Sequence, residues 1–262
     1  MRNHALILAL CILIVLPGAS GSSSARASGP HTFAGLEWYT RSEQGAPPSG
    51  GYNLWWDGPE AAAFEDTDRD GEADQVTLRT HSDGGTWYST EMFTSDPVPY
   101  GDYCFYVDAA LDGLDAALVF GMFLYEDDAH ELDIEFSLWG EPDAPNNAQF
   151  VVQRGDGKSY AKRFAMAFEG AYSTHCIRWQ PDSVVFESYH GHTTAPENRQ
   201  AIWRYDRSLR AFDAERIPRS GQTTLILNLW LVDGAGDRFA PDLTGASEVA
   251  ITGITHPAQP PA

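Results

Sequence analysis

Short runs of apolar and β-branched residues recur about every ten residues along this chain, separated by Gly, Pro, Asp and Asn, and no segment keeps an apolar period near 3.6. Without that period a chain cannot bury one face of a helix. Alternation instead puts successive side chains on opposite faces of a strand, so the pattern predicts an all-β fold, a two-sheet antiparallel β-sandwich of the jelly-roll type. Strands are expected at 75–81, 86–94, 102–108, 117–125, 131–139, 148–153, 173–180, 183–189, 223–231 and 248–254. Only 206–217 has the composition of a short helix. The stretch 42–51 reads as loop, and the Pro-rich 256–262 as a frayed tail or the stub of a linker.

The first 27 residues carry Arg2, an apolar run from Ala5 to Leu16 and small residues ending in Ala25-Arg26-Ala27. This is the pattern of a cleaved secretory signal. The apolar run is about twelve residues against the roughly 20 of a membrane helix, so no membrane span is expected. Cys11 follows Leu10 rather than a small residue, which argues against a lipid anchor. Residues 28–255 then form one domain, expected to be a secreted monomer. A net charge of −20 repels nucleic acid and anionic membranes and favours neutral partners. Cys104 and Cys176, an even pair in an oxidising compartment, suggest a disulfide; the alternative is two buried thiols on separate strands.

The strongest chemical signal is Glu131-Leu132-Asp133-Ile134-Glu135. On a strand, Glu131, Asp133 and Glu135 share one face and Leu132, Ile134 and Phe136 the other. Neighbouring like charges repel and acids are poor strand formers, so the row is either a solvated acidic face or a site that uses the repulsion. Glycoside chemistry does use it: one carboxylate acts as nucleophile while a second carboxyl, its pKa raised by a like charge nearby, holds a proton. Aromatics make up 12% of the chain, enough for a core and for sugar-stacking platforms, and Trp139 and Trp230 adjoin the strands expected to line such a site.

At these residues the chain resembles glycoside hydrolase family 16, the concanavalin A-like jelly rolls that include lichenases and laminarinases. Glu131-Leu132-Asp133-Ile134-Glu135-Phe136 is similar to the family's Glu-x-Asp-x-Glu signature in its lichenase-like form, without the extra residue of the laminarinase-like one. Tyr100-Gly101-Asp102-Tyr103, Phe123-Leu124-Tyr125, Trp179-Gln180-Pro181-Asp182-Ser183 and Leu227-Asn228-Leu229-Trp230 resemble further family motifs in the same order. The resemblance implies a retaining mechanism with Glu131 as nucleophile, Asp133 as assisting acid and Glu135 as acid/base. It also implies sugar contacts from Asn228 and Trp230, with Phe123 and Tyr125 in the cleft. Departures stand at Cys104-Phe105-Tyr106, where a Glu-x-Arg is expected after Tyr103, at Ala129-His130 before the first acid, and at Val151-Val152-Gln153 on the next strand.

Asp66-Thr67-Asp68-Arg69-Asp70-Gly71, followed by Asp74, alternates oxygen donors and places Gly sixth, as in calcium loops, but Thr77 stands where an EF-hand carries Glu. Either a structural calcium or a plain acidic turn fits. His190-Gly191-His192 reads as a solvated turn, and no phosphate loop or Gly-x-Ser-x-Gly elbow is present. The expected activity is hydrolysis of β-glycosidic bonds in a polysaccharide, with a β-1,3- or β-1,3-1,4-glucan as the expected substrate and no cofactor required for catalysis. A transglycosylase using the same site and a non-catalytic carbohydrate-binding jelly roll are the alternatives.

Overall fold

The computed structural model describes residues 26–42, 53–59, 61–155, 158–232, 243 and 247–257. Seventeen strands form in chain order: β1 (Arg26–Phe33), β2 (Leu36–Ser42), β3 (Ala62–Glu65), β4 (Gln75–Arg79), β5 (His81–Asp83), β6 (Thr86–Tyr88), β7 (Thr90–Thr94), β8 (Gly101–Asp108) and β9 (Leu118–Asp127), then β10 (His130–Ser137), β11 (Ala148–Gln153), β12 (Ser159–Phe164), β13 (Tyr172–Gln180), β14 (Ser183–His190), β15 (Arg199–Tyr205), β16 (Thr224–Leu231) and β17 (Glu248–Thr255). A front sheet runs β1-β2-β7-β16-β9-β10-β11-β12, a back sheet β15-β14-β13-β8-β17-β4-β3, and β5 and β6 make a separate hairpin. All pairings between strands are antiparallel, which makes the molecule a jelly-roll sandwich.

Alternation builds the core. From the front sheet, Phe120, Met122, Leu124, Leu132, Ile134, Phe136, Leu225, Leu227 and Leu229 turn inward, and the back sheet answers with Tyr103, Phe105, Val107, Ile177, Trp179, Phe186 and Ile251. The residues between them in sequence must face away from the core, and these carry the site. Cys104 and Cys176 are directly paired on β8 and β13 and form a disulfide with Cα atoms 4.1 Å apart.

Several expectations are corrected by packing. The 206–217 stretch is not an α-helix; only a 3₁₀ turn forms, at Ala214–Arg216. Asp206 caps the preceding turn through Ser208 N, and the Tyr205 hydroxyl bonds both backbone groups of Asp213, fixing the segment as a series of turns. Strand 75–81 breaks at Thr80 and 86–94 at Ser89, while β10 ends at Ser137, because Trp139 adopts a left-handed φ of 48°. His256 is not frayed: it is 5% exposed and its Nε2 bonds Ala34 O at 2.8 Å. Residues 1–25 of the expected leader, 43–51 of the stretch expected as loop and the tail beyond 257 lie outside the described residues; Ser42, expected in that loop, ends β2, and Arg26 and Ala27 pair with Ser42 and Arg41 at the start of β1.

Candidate active site

From Glu131 to Ser137, β10 pairs in unbroken register with β9, and the acids stay on one face. Strand alternation thus suffices to gather them. Glu131, Asp133 and Glu135 are 7%, 1% and 3% exposed, so the row is not a solvated acidic face. Cross-strand register then assembles a transverse line through Glu135: Arg163 (β12), Gln149 (β11), Glu135 (β10), Gly121 (β9), Asn228 (β16) and Glu91 (β7). A parallel line through Asp133 is mostly apolar, with Val151, Phe123, Ile226, Phe93 and Tyr39. Tyr125 stands beside Glu131, and its hydroxyl donates to Asp128 at 3.0 Å.

Hydrogen bonds tie the polar line together. Gln149 Nε2 donates to Glu135 Oε2, and Arg163 Nε donates to Gln149 Oε1 at 3.2 Å. Gln153 Nε2 donates to Asp133 at 3.1 Å. Asn228 Nδ2 donates to Glu91 at 3.4 Å, and Arg41 pairs with Glu91 at 3.1 Å. Two buried polar atoms among the described residues have no protein partner on this face: Asn228 Oδ1 and Trp139 Nε1.

Burial pushes the Glu131 carboxyl well above the usual range, helped by the Asp133 charge, by its hydrogen bond with Asp133 and by the Glu135 charge. Burial also raises Asp133, followed by the Glu135 charge, while its bonds with Glu131 and Gln153 oppose the rise. Both shifts favour binding a proton to the pair, the direction in which the repulsion implied by the sequence is relieved.

Trp139 and Trp230 pack together with Val119 and with Trp55, a residue the sequence reading left out. Arg163 lies over the Trp139 ring at 4.6 Å and Arg41 over Trp55 at 5.3 Å. Gln149, Gln153, Glu91, Arg41 and Arg163 were also missed. Alternation could have found the first three, since Gln149 and Gln153 share a face of β11 with Val151, and Glu91 alternates with Met92 on β7. One expected departure is misplaced. Cys104 and Tyr106 lie on β8 in the back sheet, so that change cannot alter this face, where Glu91 and Phe93 supply the side chains instead. Val151 does occupy the row's face, beside Asp133.

Asp66, Asp68 and Asp74 each bring a carboxylate oxygen within 4.8 Å of the others, all exposed. Asp70 is outside that group and accepts from Glu72 N at 2.8 Å. Those oxygens already cap turns: Asp66 accepts from Arg69 N and Gly71 N, and Asp74 from Thr67 N. Glu126, Asp127 and His130 form a second such group, but Arg219 engages Glu126, and Asp127 pairs with His130 at 2.6 Å.

No family model matches the chain, and no curated protein matches it in sequence. Solved structures do. A Bacillus licheniformis β-glucanase superposes with a TM-score of 0.55 at 17% identity, covering 89% of this chain and 97% of the glucanase. The chain has the fold of these glucanases. A glycoside hydrolase family 16 endo-glucanase from Bacteroides ovatus gives 0.56 at 13% identity over 83% of this chain and 93% of that one. A β-1,3-glucanase from Mycobacterium marinum gives 0.52 at 18% identity over 86% and 94%. At such identities the likeness establishes the jelly-roll architecture, and the chemistry has to be argued from the site.

Proposed function

We propose that this chain is a secreted, retaining glycoside hydrolase that cleaves internal β-glycosidic bonds of a β-1,3- or β-1,3-1,4-glucan. The observation that carries the reading is the buried Glu131–Asp133 pair, sharing a hydrogen bond, on one face with Glu135. Burying three acids on a sheet costs stability, and such an arrangement persists where chemistry needs shifted carboxyls. In the proposed reaction the proton of the pair, which the hydrogen bond places on Glu131, passes to Asp133 and leaves Glu131 charged. Glu131 attacks the anomeric carbon as Glu135 gives its proton to the departing glycosidic oxygen. Glu135 then takes a proton from water, which displaces Glu131 and restores the starting configuration.

The surroundings suit a sugar. Gly121 leaves the floor between Glu135 and Asn228 without a side chain, the unpartnered Asn228 Oδ1 and Trp139 Nε1 suit hydroxyls, and Trp55, Trp139 and Trp230 offer apolar walls. Two Bacteroides ovatus neighbours were solved with G4G3G-2F-DNP and with a G4G4G3G product, the latter described as part of a mixed-linkage glucan system, which supports a mixed-linkage substrate. The Cys104–Cys176 disulfide supports an exported protein. A structural calcium at Asp66, Asp68 and Asp74 is part of the proposal.

The test is release of new reducing ends from β-glucans by the parent and by Glu131→Gln, with binding followed in parallel. Cleavage by the parent alone supports the hydrolase. Binding by both proteins without cleavage overturns it in favour of a carbohydrate-binding module.

A further inference from the structure

Arg163 does not touch Glu135, yet it decides what Glu135 touches. A carboxamide has a donor end and an acceptor end, and rotation by half a turn exchanges them, whereas a guanidinium only donates. The bond from Arg163 Nε therefore requires Gln149 to turn Oε1 toward β12, and this leaves Nε2 facing Glu135, as observed. Arg163 is itself held in place, with its guanidinium over the Trp139 ring. Trp139 is fixed in turn by its left-handed backbone, by its N–H donating to Ser137 Oγ at 2.7 Å and by packing on Trp55 and Trp230.

We propose that Arg163 is a positioning residue that locks the Gln149 amide so that Glu135 is always met by an N–H donor. The idea rests on the reading of Glu135 as acid/base, which must both release and recover a proton in each cycle. A donor favours the charged carboxylate, while an inverted amide would accept from the protonated acid and hold its proton. The lock thus prevents the neighbour of Glu135 from holding its proton and keeps release favoured.

Among the described residues, the other charged groups around Glu135 are Asp133 and Glu131 on its own strand, and Glu91 with its partner Arg41 beyond Asn228. At this level β9 presents Gly121 and β11 the neutral Gln149. Removing Arg163 also removes a charge, so the test must separate charge from orientation.

Carboxyl-¹³C glutamate NMR titration, with Glu135 assigned by Glu135→Gln, reads the effect without substrate. It therefore remains informative for a protein that cleaves nothing. Arg163→Met is expected to raise the Glu135 midpoint by about one pH unit, on the scale of a hydrogen bond changing from donated to accepted. The rise should vanish in a Gln149→Leu background and persist at high salt, since screening weakens a distant charge but not an amide contact. An unchanged midpoint in Arg163→Met overturns the proposal. So does a shift that survives Gln149→Leu or collapses with salt, because Arg163 would then act through its charge. If Gln149→Leu does not fold, the salt comparison on Arg163→Met alone decides.

Discussion

Asn228 leans over Gly121: a Cβ built on Gly121 would lie 2.5 Å from Asn228 Oδ1. Gly121 is here a matter of space rather than of unusual backbone, since the strand around it is regular. Gly121→Ala must push Asn228 off its position between Glu91 and Glu135. The expected cost is about 1–3 kcal/mol of stability, as for overpacking at other tight sites, with weaker glucan binding. Chemical denaturation and binding measured together check this, and a variant that binds as the parent does would remove Asn228 from the sugar site.

The buried acids make stability depend on pH in a defined direction. Folding raises the Glu131 and Asp133 carboxyls, so the native state holds protons that the unfolded chain has released. Their contribution is complete below the ordinary carboxylate range near pH 4 and is lost as pH rises through the folded values. Glu131→Gln, which keeps the shape without the charge, should therefore melt higher than the parent at pH 8, with a smaller gap at pH 4. A gap that does not vary with pH would contradict a raised pair.

His175 acts at the other limb. It is fully buried, bonded at both ring nitrogens to Ser173 and Ser188 at 2.9 Å and packed on Phe136, and burial lowers its pKa to about 3. Its folded value lies below the unfolded 6.5, so its contribution is full above pH 6.5 and is lost as pH falls toward 3. Each pH unit inside that window costs about 1.4 kcal/mol, less near its ends. His175→Gln should flatten the acid limb of a denaturation-against-pH curve relative to the parent.

The Cys104–Cys176 disulfide spans a sequence separation of 72 residues. In the chain-entropy model, closing such a loop contributes about 4 kcal/mol. The Cys104→Ser, Cys176→Ser variant should show a lower denaturation midpoint with the same activity per folded molecule, because both residues lie in the back sheet, away from Glu131. Lost activity in a folded double variant would mean that the back sheet controls the site.

Calcium at Asp66, Asp68 and Asp74 predicts a melting midpoint that rises with calcium and falls with a chelator. Asp68→Asn should blunt both responses. Equal midpoints under both conditions in the parent would leave the loop as an acidic turn, with its carboxylates capping Arg69, Gly71 and Thr67 as seen.

How much of this was legible in the chain follows from the range of the forces involved. Alternation is local, so the sandwich, the ten strands read from it and the shared face of Glu131, Asp133 and Glu135 could all be seen without a structure. The strands missed, β1, β2, β3, β12, β15 and all of β5 but His81, include the edge strands of both large sheets, and β12 reads Ser-Tyr-Ala-Lys-Arg-Phe, too polar to signal burial. Trp139 escaped strand β10 because its side-chain packing and the Ser137 contact outweigh the backbone preference.

Sequence alone determined which residues alternate and hence which could share a face with the acids. Only the tertiary structure decided which of them meet, since register between strands far apart in sequence sets the line from Arg163 through Gln149, Glu135, Gly121 and Asn228 to Glu91. The structure also placed Cys104 behind the core rather than beside the acids. The reason is physical: side-chain direction along a strand is fixed by local stereochemistry, whereas register is fixed by packing between the two sheets.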